Sequence, residues 1–293
     1  MKQPLVSIIT VNYKQRLVTG ELLKSISQLD YPNLEVIVVD NGQKENDSAY
    51  YHSILPEVRV LNSEVNLGFA GGNNVGMMVA EGDYLFLVNN DTELENGLIE
   101  SLVSRFTEPE IGAVSPVLRY FDHPEKIQFA GFTKINSLTG RNETFRAIQK
   151  TEPYDTPYFH GAAVMIRKEV AKATDYMPEE FFLYYEELEW SYRIRQHGYR
   201  ILVDPDVSVL HKESISTGKN SPLKVYYQNR NRVHFMRTKS AGGWFMFLTF
   251  FVLVSIPKNI CARIIHQEPK HLKAFIKAVK DGLIFKKYGF RPI

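Results

Sequence analysis

The sequence predicts an α/β fold: a mixed, mostly parallel sheet flanked by helices, followed by a helical C-terminal extension. Three observations carry this. Short runs of predominantly apolar, often β-branched residues recur at 6–11, 34–39, 58–61 and 83–88. Segments with helical spacing separate them. Polar residues collect directly after the first, second and fourth runs. Strands that are apolar on both faces belong to a parallel sheet covered by helices on both sides. In open sheets of this kind, ligands bind outside the carboxyl ends of the strands.

In chain order, residues 6–11 read as a strand ended by Asn12-Tyr13, and Leu22, Leu23, Ile26 and Leu29 then follow helical spacing. Residues 34–39 read as a second strand, ended by Asp40-Asn41-Gly42, and 58–61 as a third. A helix over 71–80 emerges from a glycine-asparagine loop. Residues 83–88 form a fourth strand, ended by Asn89-Asn90-Asp91, before a helix over 94–106 and a strand over 111–118. Between 119 and 158, Pro, Gly and Asn interrupt every period, which reads as loops with short antiparallel strands. Residues 159–167 are strand-like, and 186–197 are helical with a stop at Gly198. Residues 199–209 read as two extended pieces split by Asp204-Pro205-Asp206. From Leu223 the pattern is helical only. The chain thus divides into a sheet domain over 1–220 and a helical, basic, amphipathic region over 221–293.

With 44% hydrophobic and 23% charged residues, the 293-residue chain has the composition of a globular protein. Its single cysteine, Cys261, excludes an internal disulfide framework and fits a reducing compartment. Met-Lys-Gln-Pro runs into the first strand without an apolar signal core, so a cytoplasmic location is expected. The net charge of +2 hides an asymmetry. Residues 258–293 carry nine Lys and Arg against Glu268 and Asp281, a net +7, which leaves −5 for the rest. A basic tail seeks an anionic surface, and because this tail is also apolar, the expected surface is a membrane and not nucleic acid.

Asp91 stands on a strand tip, where a carboxylate suits a divalent cation bridging two phosphates. Mg2+ and Mn2+ prefer oxygen ligands and take only one or two protein carboxylates. Asp91-Thr92 reads equally as the N-cap of the next helix. Asp40 is placed to accept hydrogen bonds from a base or ribose, or to close a turn. The stretch Asn66-Leu67-Gly68-Phe69-Ala70-Gly71-Gly72-Asn73-Asn74 puts glycines where backbone approaches a ligand or turns sharply. Its spacing matches neither the dinucleotide fingerprint nor a phosphate-loop lysine motif, which disfavours a dehydrogenase or a P-loop kinase. Glu186-Glu187-Leu188-Glu189 opens a helix behind the aromatic run 181–185. First-turn carboxylates compensate the helix dipole, and one beside an aromatic pocket also suits a general base for a sugar hydroxyl. Glu189 and Arg193, four apart, are expected to pair. His211 ends a strand and either completes a metal site short of carboxylates or sits as a surface histidine. Lys212, Ser214, Ser216 and Thr217 are candidates to reach phosphate oxygens.

Taken in order, these stretches resemble glycosyltransferase family 2 of the GT-A (Rossmann-like) fold, and within it the bacterial rhamnosyltransferases and galactofuranosyltransferases. The matching stretches are Val6-Ser7-Ile8-Ile9-Thr10-Val11-Asn12-Tyr13, Val38-Val39-Asp40-Asn41-Gly42, Asn66 through Asn74, and Leu87-Val88-Asn89-Asn90-Asp91. They continue with Gly161 through Arg167, Tyr185-Glu186-Glu187-Leu188-Glu189-Trp190 with Arg193, and His211. The resemblance implies that Thr10, Asn12 and Asp40 hold the nucleotide, with Asn66, Gly68, Gly71, Asn74 and Gly161 around the nucleotide-sugar. It implies that Asn89-Asn90-Asp91 is the Asp-x-Asp metal motif, with Asp91 and His211 as ligands of Mg2+ or Mn2+. Glu186-Glu187 falls on the catalytic acidic pair, with Glu187 favoured as base and Glu186 close behind. Two departures stand out: Asn89 where many members carry Asp, and Glu-Glu where Glu-Asp is commoner. The implied reaction is single displacement with inversion, from a dTDP- or UDP-sugar to a glycan or polyprenyl-diphosphate-linked acceptor in bacterial surface-polysaccharide synthesis. A homodimer is admitted. The competing functions are a membrane-associated nucleotide-sugar binding protein with a degenerate site, and a nucleotidyl or sugar-phosphate transferase of similar fold.

Residues 240–257 carry no charge over 18 positions, the lower limit for a membrane span. Gly242-Gly243 and Pro257 bracket a shorter apolar run, which favours an interfacial helix over core packing or a true span. Next, Leu272, Phe275, Ile276, Val279 and Leu283 share one helical face while Lys273, Lys277 and Lys280 share another. This is the pattern of a basic amphipathic helix at an anionic leaflet, or of a docked terminal helix with a solvated face. The expected location is peripheral, on the inner face of the plasma membrane. Tyr226-Tyr227-x-Asn229-Arg230-x-Arg232 is a candidate contact for a lipid diphosphate.

Overall fold

The computed structural model describes residues 3–44, 47–212, 221–239 and 243–284. Ser214, Ser216, Thr217, Lys286, Lys287 and Arg291 therefore lie outside the described residues. The described strands are β1 (Val6–Asn12), β2 (Leu34–Asn41), β3 (Arg59–Ser63), β4 (Tyr84–Val88) and β5 (Thr92–Glu93), then β6 (Ile111–Tyr120), β7 (His123–Phe129), β8 (Tyr154–Asp155), β9 (Ala163–Arg167) and β10 (Arg200–His211). Helices α1 (Arg16–Ile26), α2 (Ser48–His52), α3 (Gly68–Val79), α4 (Leu98–Ser104), α5 (Lys168–Ala173) and α6 (Glu186–Gln196) lie among them. After β10 come α7 (Pro222–Lys239), α8 (Trp244–Phe250), a π-helical turn (Phe251–Ser255), α9 (Ile256–Ile265) and α10 (Pro269–Ile284).

The sheet runs β3-β2-β1-β4-β9-β6-β10-β5, with β7 on β6 and β8 on β10. Strands β1 to β4 are parallel, β9 is antiparallel to both neighbours, and β10 is again parallel to β6. Both faces are covered, as the continuous apolar strands require. Val6 and Ile8 face a core with Leu22, Leu98 and Leu102, while Ile9 faces another with Met77, Val170 and Trp190. The short antiparallel strands expected between 119 and 158 are β7 and β8.

Three readings are corrected. The glycine-asparagine stretch is mostly helix, because α3 starts at Gly68. A Cβ on Gly76 would stand 2.4 Å from Ile9 Cγ2, and one on Gly72 2.8 Å from Val11 Cγ1. These glycines let α3 press onto β1. Next, residues 200–211 are one strand, and Asp204-Pro205-Asp206 marks a register shift within it. Arg105 holds that irregularity through Asp204 (3.0 and 3.1 Å) and Asp206 (2.5 Å). Finally, α4 begins at Leu98 behind Gly97 in the left-handed region (φ 83°), so Asp91 caps no helix.

The C-terminal helices share a core with the sheet domain. Tyr158, Phe181 and Leu188 pack with Val233, Phe235, Met236, Phe247 and Phe251. Helix α10 docks on α7 through Ala274, Phe275, Ala278 and Gly282, where a Cβ would meet Val233 Cβ at 2.9 Å. Of the five apolar positions expected to share a lipid face, Phe275 is thus inside, while Ile276 and Leu283 stay exposed.

Candidate active site at the carboxyl edge of the sheet

Parallel pairing sets Asn12 beside Asp40 at the ends of β1 and β2. Asp40 Oδ1 accepts from Asn12 Nδ2 (2.5 Å) and Gln43 Nε2 (2.6 Å). Asn12 Oδ1 accepts from Thr19 Oγ1 (3.0 Å), which in turn accepts from Asn90 Nδ2 (3.0 Å). One buried polar chain therefore links three strand ends. Asp40 Oδ2 and Thr10 Oγ1 are buried without a hydrogen-bond partner. Burial raises the Asp40 pKa against the two amide bonds that lower it. Buried polar atoms are rarely left unpaired, which marks these two as the atoms a polar ligand would meet. The nearby Asn66, by contrast, is spent on structure: its Oδ1 accepts from Asn41 Nδ2 (3.2 Å) and Gly68 N (2.9 Å). Asn74 is committed likewise to Met177 and Glu179, although the resemblance sets it around the nucleotide-sugar. Gly71 sits inside α3 against Leu67.

His211 lies opposite Thr92 in the β10–β5 pair, which brings it to Asp91. His211 Nε2 stands 3.2 Å from Asp91 Oδ1, yet that oxygen makes no aligned hydrogen bond. Nδ1 lies 2.8 Å from Gln128 Oε1, an acceptor that places a ring proton on Nδ1 and orients Nε2 toward Asp91. The ring nitrogen and the carboxylate oxygen face each other across 3.2 Å, a spacing that suits an imidazolium–carboxylate pair and equally two ligands of a shared cation. A third ligating side chain does not join them: among the described residues, no cluster of three His, Cys, Asp or Glu is suited to a metal. Asn89 is half-buried beside the pair, where a second carboxylate is missing. Lys212 does not reach for phosphate. Its ammonium is tied to Glu21 (2.5 Å) and Glu93 (3.0 Å).

The acidic pair opens α6. The segment before it is strained, with Phe182, Tyr184 and Tyr185 all at positive φ (63°, 66° and 75°). Two elements hold it. Phe69 N donates to Phe182 O (2.7 Å) beside Gly68, where any Cβ would collide with Phe182. From the other side, Asn231 Nδ2 of α7 reaches the carbonyls of Phe181, Leu183 and Tyr184 at 2.7–2.8 Å. Strain kept in place this way is typical of functional sites. Glu186 Oε2 and Glu187 Oε2 are both buried without partners. Burial pushes the Glu187 pKa up to about 7. Glu186 is raised further, by burial and then by the Glu187 charge. Glu187 faces the backbone of Gly161, where an added Cβ would lie 3.9 Å from Glu187 Cβ, whereas Glu186 is inside. Glu189 is structural: Arg193 (2.7 Å) and Lys239 (2.7 Å) share it.

Sequence patterning passed over four of these residues. Thr19, Gln128 and Asn231 act through side-chain bonds that no local motif announces. His160, just before Gly161, lies 6.2 Å from the His211 ring and packs on Phe129 and Phe132. Burial lowers its pKa to about 3, and Nδ1 accepts from Ala162 N (3.1 Å), so it is neutral.

Residues 7–174 match the family described as Glycosyl transferase family 2. A low-salt glycan biosynthesis hexosyltransferase of Haloferax volcanii is 26% identical over 239 residues, which cover 77% of this chain and 73% of that protein. The N-acetylglucosaminyl-diphospho-decaprenol L-rhamnosyltransferase of Mycobacterium tuberculosis is 22% identical over 262 residues, covering 81% and 85%. A mannosyltransferase from Pyrobaculum calidifontis, solved in complex with GDP-Man and Mn2+, shares the fold at a TM-score of 0.62 and 16% identity, covering 96% of this chain and 88% of that one. The chain has the GT-A-like mixed sheet, and its match extends over more than half its length. It belongs to glycosyltransferase family 2 and is a glycosyltransferase.

Proposed function

We propose that this enzyme moves a sugar, with inversion, from a dTDP- or UDP-linked donor to a glycan or polyprenyl-diphosphate-linked acceptor in bacterial surface-polysaccharide synthesis. The observation that carries the reading is Glu187 on α6, with one buried carboxylate oxygen unpartnered and a pKa near neutrality, together with the unpartnered oxygens of Thr10, Asp40 and Asp91 at the strand ends. The mycobacterial relative's name includes a diphospho-decaprenol, which supports a lipid-diphosphate acceptor here.

Thr10 and Asp40 bind the nucleoside, and the Asn12–Thr19–Asn90 chain keeps them rigid. Asp91 and His211 would hold Mg2+ or Mn2+, with donor phosphates completing a shell that has only two protein ligands. When bound, the cation neutralises charge developing on the leaving nucleoside diphosphate. Glu187 takes the proton of the acceptor hydroxyl as that oxygen attacks the anomeric carbon and the bond to the diphosphate breaks. Glu186 stays protonated, so the pair carries a single charge. A panel of UDP-, dTDP- and GDP-sugars, assayed with Mn2+ and with EDTA, should show metal-dependent turnover on the first two classes. A product that keeps the donor's anomeric configuration would sink the inverting mechanism.

The C-terminal helices dock the enzyme on an anionic bilayer, from the cytoplasmic side. Trp244–Ile265 is 22 residues long with a mean hydropathy of 1.8 and is long and apolar enough to cross a membrane. Only 11% of its apolar window is buried, which argues against core packing. Phe247 and Phe251 face the protein while Phe245 (77%), Leu253 (70%) and Ile265 (74%) are exposed. Exposed Lys258, Lys270, Lys273, Lys277 and Lys280 supply complementary charge. A helix pinned by one face fits an interfacial position better than a span. Changing Phe245 and Leu253 together to Asp should lower pelleting with phosphatidylglycerol vesicles at least tenfold at unchanged Tm. Resistance of the wild type to carbonate extraction would favour a span instead.

A further inference from the structure

Arg232 on α7 is 3% exposed, and its Nε and Nη2 find no hydrogen-bond partner. No carboxylate pairs with it among the described residues. Its guanidinium lies 4.8 Å over the Phe251 ring, which occupies one face and leaves those in-plane N–H groups unsatisfied. Burial lowers its pKa to about 10, so it remains a cation at neutral pH. A buried charge without a counterion is strongly disfavoured, which makes the missing partner an anion. Four other polar side chains of the 226–232 segment are already committed. Tyr226 bonds Asp281 (2.6 Å), Asn229 bonds Val225 O (2.7 Å), and Arg230 and Asn231 bond carbonyls of residues 180–184.

The location gives that anion a meaning. Arg232 Cγ would lie 3.1 Å from a Cβ on Gly140, and Gly140 O accepts the Tyr185 hydroxyl at 2.8 Å. Tyr185 immediately precedes the acidic pair, and the charges of Arg232, Arg141 and Glu187 are all felt at its hydroxyl. Arg141 is exposed and likewise has no carboxylate partner among the described residues. On the far side, Phe251 belongs to the helix whose outer face shows Phe245 and Leu253. Arg232 thus stands between the general base and the apolar surface.

We propose that Arg232, assisted by Arg141, forms a subsite for a phosphate or diphosphate group, filled by the diphosphate of a lipid-linked acceptor, so that the sugar beyond it reaches Glu187. This rests on the acceptor reading above, and the binding test below does not. Inorganic pyrophosphate, titrated with EDTA present, should raise the Tm of the wild type and of Asp91→Ala alike. Arg232→Met should lose most of that rise, and so should Arg141→Ala, a surface change that leaves the fold intact. A rise unchanged in both arginine variants, or absent in the wild type, overturns the site. In transfer assays, Arg232→Met should raise KM about 10- to 100-fold for a sugar on polyprenyl diphosphate, the loss expected for hydrogen bonds to a charged group. KM for the same sugar on an uncharged alkyl chain should not move. Equal losses on both acceptors overturn the assignment. So does competition by phosphatidylglycerol vesicles equal to that of vesicles carrying polyprenyl diphosphate, which would make the anion a phospholipid headgroup.

Discussion

Glu187→Gln is expected to cut sugar transfer by about 10²- to 10⁴-fold, the usual contribution of a general base, while nucleotide binding persists. Glutamine keeps the size of the side chain and cannot accept the proton. Glu186→Gln should cost less than about tenfold, because Gln imitates the protonated state in which burial and the neighbouring charge hold Glu186. Equal losses from the two changes would overturn the assignment of Glu187. The pH profile supplies an independent readout. A pKa raised to about 7 means that Glu187 is mostly protonated, and inactive as a base, below that pH. In the wild type, kcat/KM should therefore climb about tenfold per unit as pH rises toward 7, then level off. A flat profile between pH 5 and 7 would exclude a base in this environment.

Asp91→Ala should lower turnover by at least about 10²-fold and abolish any rise in Tm on adding Mn2+. Its Oδ1 has no hydrogen-bond partner, so the substitution should leave the unliganded fold as stable as before or slightly more stable. His211→Ala should weaken the Mn2+ response in the same direction. Normal Mn2+-stimulated turnover in Asp91→Ala would remove the metal site. Calorimetric melts with and without Mn2+, run beside donor turnover, separate loss of the cation from loss of the fold.

The sheet and the strand-end residues were legible because both follow from local pattern. Val6, Ile8 and Ile9 announce a strand buried on two faces, and polar residues directly after such a strand must lie at its carboxyl end. Asn12, Asp40 and Asp91 were readable for that reason. The glycine-rich stretch is ambiguous in sequence because a glycine needed for close helix packing looks like one needed for a ligand. Only the contacts of Gly72 with Val11 and of Gly76 with Ile9 separate the two.

Helix α7 shows the boundary most clearly. Its run of Tyr, Asn, Arg and His has no apolar face, and its pattern gives no side to bury, yet ten of its residues are buried. Burial of such a helix depends on partners distant in sequence: the carbonyls of Phe181, Leu183 and Tyr184 for Asn231, the ring of Phe251 for Arg232, and Asp281 for Tyr226. Periodicity reports which way a side chain points along its own element, and so it was enough for the sheet, its carboxyl edge and the start of the helix that carries the acidic pair. It carries no information about which polar group will meet another across the fold. That is why the Asp91–His211 facing pair, the clamp on the turn before the acidic pair and the unpaired guanidinium near it were decided by tertiary structure alone.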